Sequence, residues 1–383
     1  MRLDLSADRG PMTFGQKLWH FSWPFLLLLC VIAAIGFAML YSAANGAWEP
    51  WASRQAMRFG IGIALMVAIA LTDIRLWMRY SYALYFLVLG LLVGVEVIGE
   101  IGMGAQRWIN LGVIQLQPSE IMKITLVLAL ARYFHGATLE DIGRPSSLIF
   151  PLLLVAAPVV LVLRQPDLGT AIMLGLTAGA IFFLAGVRAW KFGLVAAAVL
   201  GAMPVAWSVL HGYQKRRILT FLDPESDPLG AGYHILQSKI ALGSGGVLGK
   251  GFLRGSQSHL NFLPEKQTDF IFTMLAEEFG MAGGLTLLGL YTLVLVFGFA
   301  IALRVRNQYG RLLALGVTAT FFVYVFINIA MVMGLLPVVG VPLPLISYGG
   351  TAMLSILIGF GFLMSAYVHR DVRISRHGTS EDD

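Results

Sequence analysis

Apolar residues run along this chain in blocks of roughly 17–25 without a regular polar stripe, the length that crosses a hydrocarbon core about 30 Å thick. Ten blocks stand out, at about 24–43, 55–72, 80–100, 119–134, 148–163, 167–186, 192–209, 271–303, 311–335 and 347–368. The pattern predicts an all-α, polytopic membrane protein: a single membrane domain over 1–383, with polar ends at 1–23 and 369–383. Segment 210–270 is the one long stretch predicted to lie outside the bilayer. It holds an amphipathic run at 233–242 and a glycine-rich turn at 243–251. As one straight helix, 270–303 would be about 51 Å long at a rise of about 1.5 Å per residue, well beyond one crossing. Glycines at 280–284 (GMAGG) interrupt it, so a short interfacial or re-entrant helix over 269–279 is expected before the true span. A second re-entrant candidate is 104–118, where Trp108-Ile109-Asn110-Leu111-Gly112 is too short and broken to cross.

Composition agrees. The 383 residues are 57% hydrophobic and 13% charged, about half the charged fraction of a soluble domain (~25%), which excludes a water-soluble enzyme. The net charge of +6 is an orientation signal rather than a nucleic-acid footprint, because Lys and Arg collect on the cytoplasmic side. Ten spans put both termini on one side. Placing them inside gathers Arg2, Arg9, Lys17, Arg75, Arg79, Arg132, Arg144, Arg188, Lys191, Arg304, Arg306, Arg311, Arg370, Arg373 and Arg376 there, whereas the short outer connections hold Arg54, Arg107 and Arg164. The first block is too long for a cleaved signal and is expected to be an uncleaved anchor. The lone Cys30 excludes an intramolecular disulfide.

Ionisable residues at apolar places are costly and are retained for a partner or a function. Glu120 and Lys123, at i and i+3, share a helix face and can pair, as a structural ion pair or as a substrate contact. Asp167 follows Pro166 at the start of the sixth span, where a carboxylate also suits a helix N-terminus. In 263–270 (LPEKQTDF), Glu265, Lys266, Thr268 and Asp269 cluster directly before an apolar helix. Asp269 is placed to act as a general base at the water–lipid boundary; the alternative is that Thr268 or Asp269 caps the helix. The connection 337–351 is studded with Pro and Gly and cannot be helical throughout. It is either a turn or a rigid lining with free backbone groups. Glu277 and Glu278 face the same cavity as Asp269 or mark the polar side of an interfacial helix.

Other motifs fail. Segment 244–251 mimics a phosphate loop but begins with Ser and ends with Gly. The seven His residues show no HExxH spacing and no Ser sits in a GxSxG elbow, which argues against zinc hydrolysis and a serine triad.

Four motifs, Gln117-Pro118-Ser119-Glu120, Gln165-Pro166-Asp167-Leu168-Gly169-Thr170, 263–272 (LPEKQTDFIF) and 342–351 (PLPLISYGGT), in this order and over nearly the whole chain, resemble the SEDS family. The LPEKQTDF and SYGGTAML wording is similar to the elongation-type members rather than the division-type ones. The resemblance implies a peptidoglycan glycosyltransferase that polymerises lipid II at the outer face of the bacterial cytoplasmic membrane, with the family's essential aspartate falling on Asp269. Asp269 would take the proton from an acceptor sugar hydroxyl as it attacks an anomeric carbon, and a lipid pyrophosphate would leave. That anion needs positive charge. Lys123, Arg216, Lys239 and Lys266 are candidates, and a divalent cation (Mg or Mn) could share the task. Arg107, Glu120, Asp167, Glu265, Thr268 and Ser347 complete the expected substrate contacts. Gln267 stands where the family usually has His, which weakens any role for an imidazole there. The resemblance also implies a class B penicillin-binding protein as partner, with other elongation-complex proteins, and no nucleic acid.

The same broken helices and intramembrane charges suit a lipid II flippase, which should tolerate a carboxylate-to-amide change better than a base-dependent enzyme would. A non-catalytic scaffold would leave Glu120, Lys123, Asp167 and Asp269 without a common purpose.

Overall fold

The computed structural model describes residues 12–102, 105–110, 115–209, 212–223, 231–256 and 265–374. Among them are fourteen α-helices. Before the long loop come α1 (Phe14–His20), α2 (Trp23–Ala43), α3 (Trp51–Leu71), α4 (Ile74–Ile98), α5 (Pro118–Gly136), α6 (Leu139–Gly143), α7 (Ile149–Arg164), α8 (Leu168–Leu184) and α9 (Ala189–Val209). The loop carries α10 (Gly212–Leu222) and α11 (Ala231–Ser244), and α12 (Ile271–Arg304), α13 (Gln308–Val332) and α14 (Gly350–Val368) follow.

Seven helices are long and apolar enough to cross a membrane, and α8 and α9 are shorter apolar ones. The remaining block, the fourth, is α5, which carries Glu120, Lys123 and Arg132 among its apolar residues. The chain is a multi-pass membrane protein. Its periphery confirms this reading: Leu194, Val195, Val199 and Leu200 of α9 are about 60% exposed, a surface that water would penalise and lipid accepts. At the centre, α13 is buried without interruption from Ile327 to Val332.

Polar caps set several span edges. Asp73 caps α4 by accepting from the Arg75 N–H at 2.8 Å, so that helix starts six residues before the apolar block at 80. Asn307 caps α13 through the Gly310 N–H at 2.6 Å. The expected re-entrant segment 104–118 is not one. The chain forms a small antiparallel sheet there, β1 (Glu100–Gly102), β2 (Ala105–Asn110) and β3 (Gln115–Leu116), with Glu100 opposite Trp108 and Ile109 opposite Leu116. β-prone Trp108-Ile109 next to Asn110 favours strand and turn over helix. Helix α1, capped by Thr13 and Gln16, lies within the polar N-terminal segment, with Trp19 88% exposed.

Helix α12 breaks at Gly280, whose φ of 67° and ψ of −162° leave the helix. A break exposes carbonyls on one side and N–H groups on the other, and lipid can satisfy neither. The glycine turn after α11 supplies both. Its Lys250 and Gly251 N–H groups donate to the Glu277 and Glu278 carbonyls (3.0 and 2.9 Å), and its Gly246 and Val247 carbonyls accept from Met281 and Ala282 (2.9 and 3.0 Å). A Cβ at Gly280 would fall 2.6 Å from the Val247 carbonyl oxygen. Gly280→Ala therefore combines a disfavoured φ with a clash and should cost about 1–3 kcal/mol, read as a lowered thermal midpoint in detergent. An unchanged midpoint would contradict this account of the break.

Candidate functional site

The third and fourth motifs are bonded to one another along their backbones. Three consecutive carbonyls, of Gln267, Thr268 and Asp269, each accept a hydrogen bond from elsewhere in the fold. The Tyr348 N–H donates to Gln267 at 2.8 Å, the Ser347 hydroxyl to Thr268 at 2.6 Å, and the Asn328 amide to Asp269 at 3.0 Å. Ser347 Oγ in turn accepts from the Leu343 N–H at 2.7 Å, and Asn328 also donates to the Val341 carbonyl at 2.7 Å. Gln55 of α3 donates to the Ser347 carbonyl at 2.8 Å. Glu265 (φ 58°) and Leu345 (φ 64°) hold left-handed backbone, unfavourable for non-glycine residues and fixed here by these bonds. The 337–349 connection is thus bonded to its surroundings rather than a plain turn, and the Val341 and Ser347 carbonyls and the Leu343 and Tyr348 N–H groups are engaged within the fold rather than left free.

The carboxylate of Asp269 is half-buried and lies against Gly340, where a Cβ would sit 3.5 Å from Oδ2. Helix α12 takes Phe270 as its N-cap, so neither Thr268 nor Asp269 holds that position. Thr268 instead donates to the Glu265 carboxylate at 3.0 Å. Lys266 is buried, and desolvation holds its ammonium below the ordinary lysine range. Ser238 of α11 joins Thr273, one turn after Asp269, at 2.9 Å, and donates to the Val332 carbonyl at 2.8 Å. The neighbouring Lys239 is exposed, its stem passing over Gly334. Arg216 lies on α10, but its side chain is outside the described residues, as are Leu263 and Pro264.

Glu120 and Lys123 pair at 2.7 Å with almost no exposure. The Tyr324 hydroxyl bonds both, and Ser355 donates to Glu120 at 3.3 Å. Tyr324 and Asn328 are one turn apart on α13, so one helix face carries both the buried pair and the Asp269 backbone. Asp167 caps α8, accepting from the Thr170 N–H (3.2 Å) and hydroxyl (2.9 Å). Arg107 lies 3.7 Å from it and donates to the Pro166 carbonyl at 2.6 Å. Two residues beyond Asp167, Gly169 packs on the Val339 backbone, so this anchor stands behind the lining that Asp269 touches. Glu277 and Glu278 are fully buried: Glu277 pairs with Lys250 at 2.7 Å, and Glu278 accepts from Ser42. The reading of them as the polar side of an interfacial helix does not hold.

Sequence reasoning missed Gln55, Tyr324, Asn328 and Ser355, and also Arg58, whose guanidinium stacks 5.0 Å over the Tyr348 ring. Tyr324 and Asn328 at i, i+4 in the otherwise apolar stretch 321–332 were the available signal. The arrangement offers a fixed, half-exposed carboxylate with cations close by in the chain, suited to moving a proton beside an anionic group. Among the described residues no three His, Cys, Asp or Glu side chains converge.

Residues 21–372 match the FtsW, RodA and SpoVE family model, described as cell cycle protein. The peptidoglycan glycosyltransferase MrdB of Escherichia coli K12 is 45% identical over 369 residues, 96% of this chain and 98% of its own. Stage V sporulation protein E of Bacillus subtilis is 35% identical over 89% of this chain and 96% of its own. A chain from a solved peptidoglycan synthase complex, described as coordinating polymerization and crosslinking, has a TM-score of 0.79 at 33% identity, covering 91% of this chain and 98% of that one. The rod shape determining protein RodA of Thermus thermophilus has a TM-score of 0.70 at 29% identity, over 92% of this chain and 98% of its own.

Removing one partner of a buried pair strands the other charge, so Glu120→Gln or Lys123→Met alone should each cost roughly 3–5 kcal/mol. If the pair is structural, the double variant recovers much of that loss in a thermal-unfolding cycle. A folded but inactive double variant would assign the pair to substrate.

Proposed function

Because the chain belongs to the FtsW, RodA and SpoVE family, the SEDS glycosyltransferases, we propose that it polymerises lipid II into glycan strands during cell elongation, with Asp269 as general base. The observation that carries this reading is the half-exposed Asp269 carboxylate on a backbone gripped at three successive carbonyls. The carboxylate accepts the proton of the acceptor sugar hydroxyl, and the freed oxygen bonds to the anomeric carbon of the donor. The bond from that carbon to the lipid pyrophosphate breaks, and the electron pair leaves with the phosphate. Lys266, with Arg58 and Lys239 on the flanking elements, supplies positive charge to the departing anion. Arg107 and Asp167 hold the wall behind the lining. A magnesium or manganese ion, were one bound, would be held mainly by the pyrophosphate and would supply positive charge to the departing anion, leaving the Asp269 carboxylate to take the proton.

The Lys and Arg distribution along the chain supports cytoplasmic termini, and with them a position for Asp269 at the outer face of the inner membrane. Similarity to a chain of a peptidoglycan synthase complex supports a class B penicillin-binding protein as the crosslinking partner.

Asp269→Asn keeps shape and size but removes the base. Glycan synthesis from purified lipid II, with and without a class B penicillin-binding protein, should fall by at least ~10²–10⁴-fold in the folded variant. Near-normal turnover in Asp269→Asn would remove Asp269 from the reaction. Failure of the wild type to make polymer in both conditions, while lipid II crossed reconstituted vesicles, would favour a flippase.

A further inference from the structure

At the other end of α13 lies a cavity of about 570 Å³ that the reaction does not use. Asn328 bonds the Asp269 backbone, and Gln308, twenty residues earlier on the same helix, lines the cavity. At 1.5 Å per residue the two places are about 30 Å apart, the thickness of a hydrocarbon core. The lining combines two chemistries. Arg306, Arg311 and Arg373 bring three guanidinium groups from two segments of the chain, and Phe134, Ile142 and Ile374 form apolar wall. Among the described residues no carboxylate belongs to the lining. Two carboxylates lie beside it: exposed Asp371 lies 3.4 Å from the lining Arg306 and 3.8 Å from Arg370, so a headgroup phosphate would displace it from Arg306, and Asp141 is bonded to the lining Thr138. Arg311 also donates to Gln308 at the first turn of α13, where the helix dipole adds to the positive potential.

Exposed apolar side chains flank the lining along the chain. Phe183, two residues before the lining Ala185, is 60% exposed, and Leu303, three residues before Arg306, is 83% exposed. Basic pockets between membrane helices at headgroup depth are suited to phosphate-bearing lipid headgroups, and a half-apolar wall accommodates the glycerol and first methylenes that a free anion lacks.

We propose that this cavity binds the phosphodiester headgroup of an anionic phospholipid, held by Arg306, Arg311 and Arg373. The site is separate from Asp269, and its test reads binding, independent of glycan synthesis. The purified full-length protein in detergent is incubated with phosphatidylglycerol or phosphatidylcholine, and retained lipid is read by native mass spectrometry. The wild type should keep phosphatidylglycerol and lose phosphatidylcholine. A basic side chain near an anionic lipid contributes about a factor of five. The triple variant R306Q/R311Q/R373Q should therefore bind phosphatidylglycerol roughly a hundredfold more weakly, and Arg311→Gln alone about fivefold more weakly. The single variant, an exposed position, keeps the test decisive if the triple variant misfolds. The double variant R79Q/R144Q, two exposed arginines outside the lining, should bind as the wild type does. Equal retention of phosphatidylcholine, or undiminished phosphatidylglycerol binding by the arginine variants, would overturn the proposal. So would displacement of the lipid by millimolar inorganic phosphate, which would mark a site for a soluble anion.

Discussion

Backbone that leaves the helix at membrane depth must find its hydrogen-bond partners inside the protein, because lipid offers none. The described structure meets that demand at three places, and together they build the site. The carbonyls of Gln267, Thr268 and Asp269 are taken by Tyr348, Ser347 and Asn328. The carbonyls and N–H groups freed by the break at Gly280 are taken by the glycine turn 246–251. The turn before α8 is held by Arg107 on the Pro166 carbonyl. Each solution joins segments remote in sequence, so the irregular backbone ties the bundle together at the end where Asp269 lies.

Those bonds engage main chain and leave the Asp269 side chain for chemistry. A carboxylate on a backbone fixed at three successive residues can be placed against a substrate without reorganising as charge develops, the condition under which proton transfer and electrostatic stabilisation are most effective. The buried pair of Glu120 and Lys123 lies one turn along α13 from Asn328, through Tyr324. One face of α13 thus carries both the buried pair's hydroxyl partner and the amide that holds the Asp269 carbonyl.

Much of this was legible in the sequence, for identifiable reasons. Span positions follow from hydropathy alone, and the break at Gly280 from a helix too long for one crossing. Glu120 with Lys123 and Asp167 with its helix start were visible because their partners lie three residues away. Contacts over long sequence distances were not. Tyr324 and Ser355 reach Glu120 from more than two hundred residues away, and Lys250 reaches Glu277 across a loop. The sheet at 100–116 does not match the expected re-entrant segment because Trp108-Ile109-Asn110 carries a strand and turn signal of its own amid blocks of helical length. The alternative of a cap at Thr268 or Asp269 fails because the turn from Glu265 delays the start of α12 past Phe270.

The central claim is that the position of the Asp269 carboxylate, fixed by the gripped backbone, makes it a base. Asp269→Glu tests that most directly, since it keeps the charge and moves the oxygens by one methylene. Single-turnover polymerisation should fall by about a hundredfold or more, while the affinity for lipid II stays at the wild-type value. A variant polymerising at the wild-type rate would contradict the account, because charge at that place would then suffice without the geometry that holds it.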